Sequence, residues 1–115
     1  SAAEQFVPSV WILQGDITID EVNYVMSADG STTANLHVNS YSVVSGSGST
    51  AGNLSSGAVV ADSSAITIGD DRASNGTLTI QTDRIDSAKA IVVFVENIGS
   101  TDDITCQVNI KYHLR

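Results

Sequence analysis

The run Ile104-Thr105-Cys106-Gln107-Val108-Asn109-Ile110-Lys111-Tyr112-His113-Leu114 alternates apolar and polar residues without a break. Successive side chains of a β-strand point to opposite faces, so this order predicts a strand with one apolar and one wet side. At ~3.3 Å per residue it is long enough to cross a whole sheet. The rest of the chain is expected to supply strands that cover its apolar face.

Just upstream, Ala90-Ile91-Val92-Val93-Phe94-Val95 is the most apolar run and does not alternate. A strand apolar on both faces is buried on both, so it is predicted at the centre of a sheet with something packed over each side, a second subunit being one candidate. Asn97 to Asp103 then turns the chain into the terminal strand. At the other end, Phe6 to Leu13 contains the chain's one proline, Pro8, and its one tryptophan, Trp11. Proline cannot donate to a ladder, which places this strand at or near a sheet edge. Trp11 is either a core anchor or an exposed contact for a partner. Gln14-Gly15-Asp16 reads as a tight turn.

In the next strand the apolar positions are Ile17 and Ile19, then Val22, Tyr24 and Met26, a slip of one residue around Asp20-Glu21. A one-residue slip would flip faces, so a β-bulge is predicted there. Asp29-Gly30 carries the signature of a hairpin turn, with Ala34, Leu36 and Val38 pointing inward on a returning strand over residues 32–44. Residues 45–56, rich in serine and glycine and free of charge, read as a long exposed loop: a flexible connection, or a docking arm ordered by a neighbouring subunit. Residues 58–61 form a short edge strand and 65–68 a second. Gly69-Asp70-Asp71 and Ala73-Ser74-Asn75-Gly76 read as turns, Asn-Gly being the strongest local hairpin signal in the chain. Residues 77–82 alternate again through Leu78 and Ile80, and 86–89 lead directly into the apolar run. Seven or eight short strands with no sustained helical period predict an all-β fold, an antiparallel β-sandwich of jelly-roll type, with a closed barrel as the alternative.

A length of 115 residues suits one domain with one core, residues 1–6 being a candidate N-terminal arm. Charged residues make up only 16% of the chain, and the formal charge of -8 disfavours nucleic acid and anionic membranes as partners. Cys106 cannot form an internal disulfide and reads as a small buried hydrophobe. No apolar run is long enough to span a bilayer as a helix, and Ser1-Ala2-Ala3-Glu4 lacks the features of a signal peptide. The expectation is a short complete protein made in the cytoplasm.

Few residues suggest chemistry. His37 and His113 match no zinc spacing with one cysteine in the chain, and the serine–glycine tract precedes no helix that could make a nucleophile elbow or phosphate cradle. Asp16, Asp20, Glu21, Asp70-Asp71 and Asp102-Asp103 could offer oxygen ligands to calcium, but no calcium-loop pattern contains them, and solvated turns are the simpler reading. A glycosidase pair of carboxylates is compatible with spacing but has few aromatic residues to support a sugar. The chain therefore reads as a non-enzymatic protein, with no cofactor and no metal.

The stretches Gly15-Asp16-Ile17-Thr18-Ile19-Asp20-Glu21-Val22, Ser27-Ala28-Asp29-Gly30-Ser31-Thr32-Thr33-Ala34-Asn35-Leu36-His37-Val38 and Ile98-Gly99-Ser100-Thr101-Asp102-Asp103-Ile104-Thr105-Cys106-Gln107-Val108-Asn109-Ile110 resemble, in order, small β-sandwich virion proteins of tailed bacteriophages. That resemblance implies a capsid decoration (cement) protein on the outside of the head, with the major capsid protein as partner and a homo-oligomer, dimer or trimer, as the docking unit. A tail-fibre or adhesin module that binds glycans is the alternative it allows. The residues expected between subunits are Phe6, Val7, Trp11, Val93 and Val95.

Overall fold

Alternating sequence produces nine strands in the computed structural model, which describes residues 4–12, 15–42, 58–69, 73–87, 89–97 and 103–115. They are β1 (Glu4–Ile12), β2 (Ile17–Ala28), β3 (Thr32–Ser42), β4 (Ala58–Asp62), β5 (Ile66–Ile68), β6 (Ser74–Ile80), β7 (Arg84–Ile85), β8 (Lys89–Asn97) and β9 (Ile104–Leu114). The strand pairs are antiparallel. One layer runs β1-β8-β3, with β4 and β5 sharing the far edge of β3. The other runs β9-β2, with β6 and β7 sharing the far edge of β2. The layers are stitched where β6 leaves β2 and pairs with β4, at Ala61–Ile80 and Asp62–Thr79. The result is an open, sandwich-like antiparallel fold, as the strand spacing predicts, and it does not close into a barrel.

The core lies between the layers. Ile17, Ile19, Val22 and Met26 of β2 meet Ala34, Leu36 and Val38 of β3 and Ile91, Val93 and Val95 of β8, with Val60, Ile66, Ile68, Leu78 and Ile85 filling the ends. Both halves of β2 stay inward because the β2–β9 register shifts between Ile19 and Glu21, where the bulge is predicted. The extra residue, Asp20, is on β2, so β9 opposite it remains regular. Pro8 falls within a register shift of β1 between Gln5 and Ser9, and β1 is an edge strand, as a residue without an N–H requires.

Four expectations are corrected. Asp29-Gly30 does not close a hairpin: β2 and β3 belong to different layers, and the turn carries the chain across the core. Crossing lets the apolar faces of two consecutive strands bury each other, which pairing side by side would not do. Asn75-Gly76 does not turn at all but lies inside β6, opposite Val25 and Tyr24. A Cβ at Gly76 would come within 2.8 Å of the Tyr24 hydroxyl, so this glycine makes room for a ring crossing its backbone. β4, expected at an edge, pairs with β3 on one side and β6 on the other. The terminal strand, expected to be covered, is the edge of its layer: Ile104, Cys106, Val108 and Ile110 are only half-buried.

The apolar run of β8 does occupy the centre of its layer, between β1 and β3, with Ile91 to Val95 all buried. Ile91, Val93 and Val95 join the core, whereas Val92 and Phe94 alternate onto the opposite face, where the His37 ring stacks on Phe94 with centroids 4.7 Å apart. The serine- and glycine-rich segment 45–56 lies outside the described residues.

A candidate docking surface along the terminal strand

β9 is eleven residues long and pairs with β2 over its whole length. No other described strand takes up its second edge. Native sheets usually guard such an edge with a proline, a bulge or an inward charge. β9 has no proline or bulge, and its inward face is apolar from Ile104 to Leu114. Towards the C-terminal end this stripe runs into solvent: Tyr112 is 47% and Leu114 71% exposed.

The other face of β9 is fastened to β2. Lys111 Nζ lies 3.2 Å from Glu21 Oε2, and His113 Nδ1 lies 2.9 Å from both carboxylate oxygens of Asp20. Glu21 titrates below the ordinary carboxylate range because Asn23 donates to it and Lys111 sits beside it. These groups are solvent-exposed, so they set register more than they add stability. Arg115 is a firmer clasp. Its backbone N donates to Asp16 O, its Nε to Ile17 O, and its Nη2 to Ile85 O and Asp86 Oδ1, at 3.0 to 3.2 Å. At the opposite end, Asp29 N donates to Asp103 O, and Asp103 N donates to Asp29 Oδ1. β9 is thus fastened along one edge from Asp103 to Arg115. Burial pushes the Cys106 thiol on its inward face up to about 11, so it stays protonated at neutral pH and is a poor nucleophile.

A second feature is an open cleft of about 530 Å³ where the layers part beyond the β4–β6 seam. Tyr24, Asp62, Ser63, Asn75, Thr77 and Thr79 are among its lining residues. Much of this polar lining is engaged within the chain. Ser63 Oγ accepts from Leu36 N, Ser74 Oγ donates to Thr67 O, Thr77 Oγ1 donates to Asn23 Oδ1, and Gln81 Nε2 donates to Asp62 Oδ1. Such groups reinforce the seam.

The residues singled out in the sequence are dispersed. Val93 and Val95, expected between subunits, are 5% and 0% exposed and packed in the chain's own core. An outside partner cannot reach them, and the candidate contact moves to β9. Phe6, Val7 and Trp11 are on β1, with Trp11 opposite Ile91 in the backbone register; their side chains lie outside the described residues. His37 stacks on Phe94, and His113 is separated from it on the other layer. Among the described residues no three of His, Cys, Asp and Glu gather as metal ligands; Asp70, Asp71 and Asp102 are outside that set. The edge position of β9 was not legible because alternation reveals which face is apolar, not whether a strand will have neighbours on both edges. The one available signal was the wet-face trio Lys111, His113 and Arg115 at the end of the strand.

Comparison with known proteins adds no relative: no protein-family model, curated protein or solved structure matches this chain.

Proposed function

We propose that the chain is a non-enzymatic virion structural protein, a capsid decoration protein that binds the outside of a phage head and stabilises it. The observation that carries this reading is β9: an eleven-residue strand whose second edge no described strand takes up, with an apolar stripe running into solvent, the form of surface that another protein completes. The weakly charged exterior and the sequence resemblance to phage virion proteins support it. Work is done by burial: clamping neighbouring capsomers needs interfaces of ~1,600 Å², not a reaction. Mass spectrometry and cryo-microscopy of virions from the phage encoding the chain provide the test. The chain should appear in stoichiometric amounts on the head surface, and its absence from purified virions refutes the reading.

The cleft beside Tyr24 supports the rival, a receptor- or glycan-binding module. A glycan array probed with and without calcium separates the two, since specific saccharide binding favours the rival.

A further inference from the structure

We propose that β9 pairs with β9 of a second copy, antiparallel about a two-fold axis through Asn109, to make one continuous sheet across a homodimer. This deepens the structural-protein reading and rests on it for the dimer's purpose, but not for its geometry.

The geometry follows from the strand. Along an antiparallel strand, the backbone N–H and C=O of alternate residues point to alternate edges. Arg115 N and Asp103 O both bond towards β2, so odd-numbered residues of the regular strand between them face β2. The even-numbered residues, Ile104 to Leu114, therefore present their backbone groups to the open edge. Of these, Ile104, Cys106, Val108 and Ile110 pack their side chains against the core, and Tyr112 and Leu114 continue the same face into solvent. A two-fold axis perpendicular to the sheet keeps inner faces together only in registers that place even opposite even.

Among those registers, centring on Asn109 pairs the strand over its entire length, and any other leaves residues overhanging. In this register Ile104 is opposite Leu114, Cys106 opposite Tyr112, and Val108 opposite Ile110. The stripe that runs into solvent at Leu114 thus meets the half-buried Ile104 of the partner. On the wet face Lys111 is opposite Gln107 and His113 opposite Thr105, so no like charges face each other, a juxtaposition that destabilises a pair. Each even-numbered pair exchanges both backbone hydrogen bonds. A second copy is favoured over an unrelated strand because this rotation sets both wet-face cations, Lys111 and His113, opposite the neutral Gln107 and Thr105 while keeping the apolar stripe continuous across the axis.

Asn109 itself meets Asn109 of the copy in a non-hydrogen-bonded pair, with Cα atoms about 4.5 Å apart. That distance is inside the range a disulfide spans. The test uses the full chain carrying Cys106→Ser with either Asn109→Cys or Lys111→Cys, oxidised at micromolar concentration and run on non-reducing gels, with light scattering on the unmodified protein. The expected result is a dimer in solution, with Asn109→Cys cross-linking at least tenfold faster than Lys111→Cys, because the latter is displaced from its own copy by four residues. Mixing Gln107→Cys with Lys111→Cys should restore cross-linking. A monomer by light scattering, equal rates at the two positions, or capture of Asn109→Cys by a capsid protein in place of a second copy overturns the proposal. Adding the unmodified chain to virion heads lacking it separates the two readings. A correctly cross-linked dimer that does not bind heads defeats the decoration function alone, and a monomer that does bind defeats the dimer alone.

Discussion

Gly76 shows how a single residue's meaning depends on a distant neighbour. Asn75-Gly76 has the local chemistry of a hairpin turn, and nothing nearby contradicts that reading. The deciding contact comes from Tyr24 on β2, whose ring occupies the volume of a side chain at position 76. Gly76→Ala forces that ring to move, so it should destabilise the fold by about 1–3 kcal/mol. Asn75→Ala, exposed in the same strand, should change little; equal urea midpoints for the two variants would show that Tyr24 does not need the space. The inward side of Cys106 was legible from the alternation, but the expected full burial was not met, because β9 lies at an edge and leaves the residue half-buried. With its thiol raised from 9.0 to about 11, the native state holds that proton more tightly than the unfolded chain. The resulting stability is complete below pH 9 and is lost as pH rises through 11. Native protein should therefore react slowly with iodoacetamide at pH 8, and Cys106→Ala should flatten the loss of stability between pH 9 and 11 in denaturant titrations.

At the scale of an element, β2 was the most legible strand because its error of phase was itself the signal. Ile17 and Ile19 cannot share a face with Val22 and Met26 unless one residue is looped out, and the register shift is found there. Deleting Asp20 removes the extra residue and sets one half of β2 facing solvent. With burial of each of the two isoleucines worth ~1.5–3 kcal/mol, the loss should be about 3–6 kcal/mol, a large part of typical domain stability. Asp20→Ala keeps the bulge and loses only an exposed pair with His113, so it should cost under about 1 kcal/mol. Thermal melts by circular dichroism compare the two, and a deletion as mild as the substitution would remove the bulge's structural role. β9 was legible as a strand to the residue, Ile104 to Leu114, yet its place at the edge was not. Periodicity fixes a strand's faces, and pairing partners are chosen by topology.

Across the whole molecule, the sequence conveyed the class, antiparallel β with a two-faced apolar strand at its centre, but not which strands cross between layers. The crossing at Asp29-Gly30 was hidden because a short glycine turn serves equally for pairing side by side and for arching over a core. The resulting topology joins the chain's distant parts: β1 pairs with β8 and β2 with β9. Loops of this size must close before such pairs form, so refolding should take milliseconds to seconds. Stopped-flow dilution from urea, followed by Trp11 fluorescence, would contradict this if recovery were complete in microseconds.

β6 belongs to both layers, its first five residues paired with β2 and its last two with β4. It therefore works as the spine of a book, whose covers can gape along the fore-edge formed by β1 and β9 while staying bound at the back. Mechanical load pulling the covers apart would open the fore-edge first and stall at the spine, so single-molecule extension should show an early yield followed by a stronger final rupture. Amides of Leu78 and Gln81, the latter bonded to Val60 O, should correspondingly be among the last to exchange with deuterium.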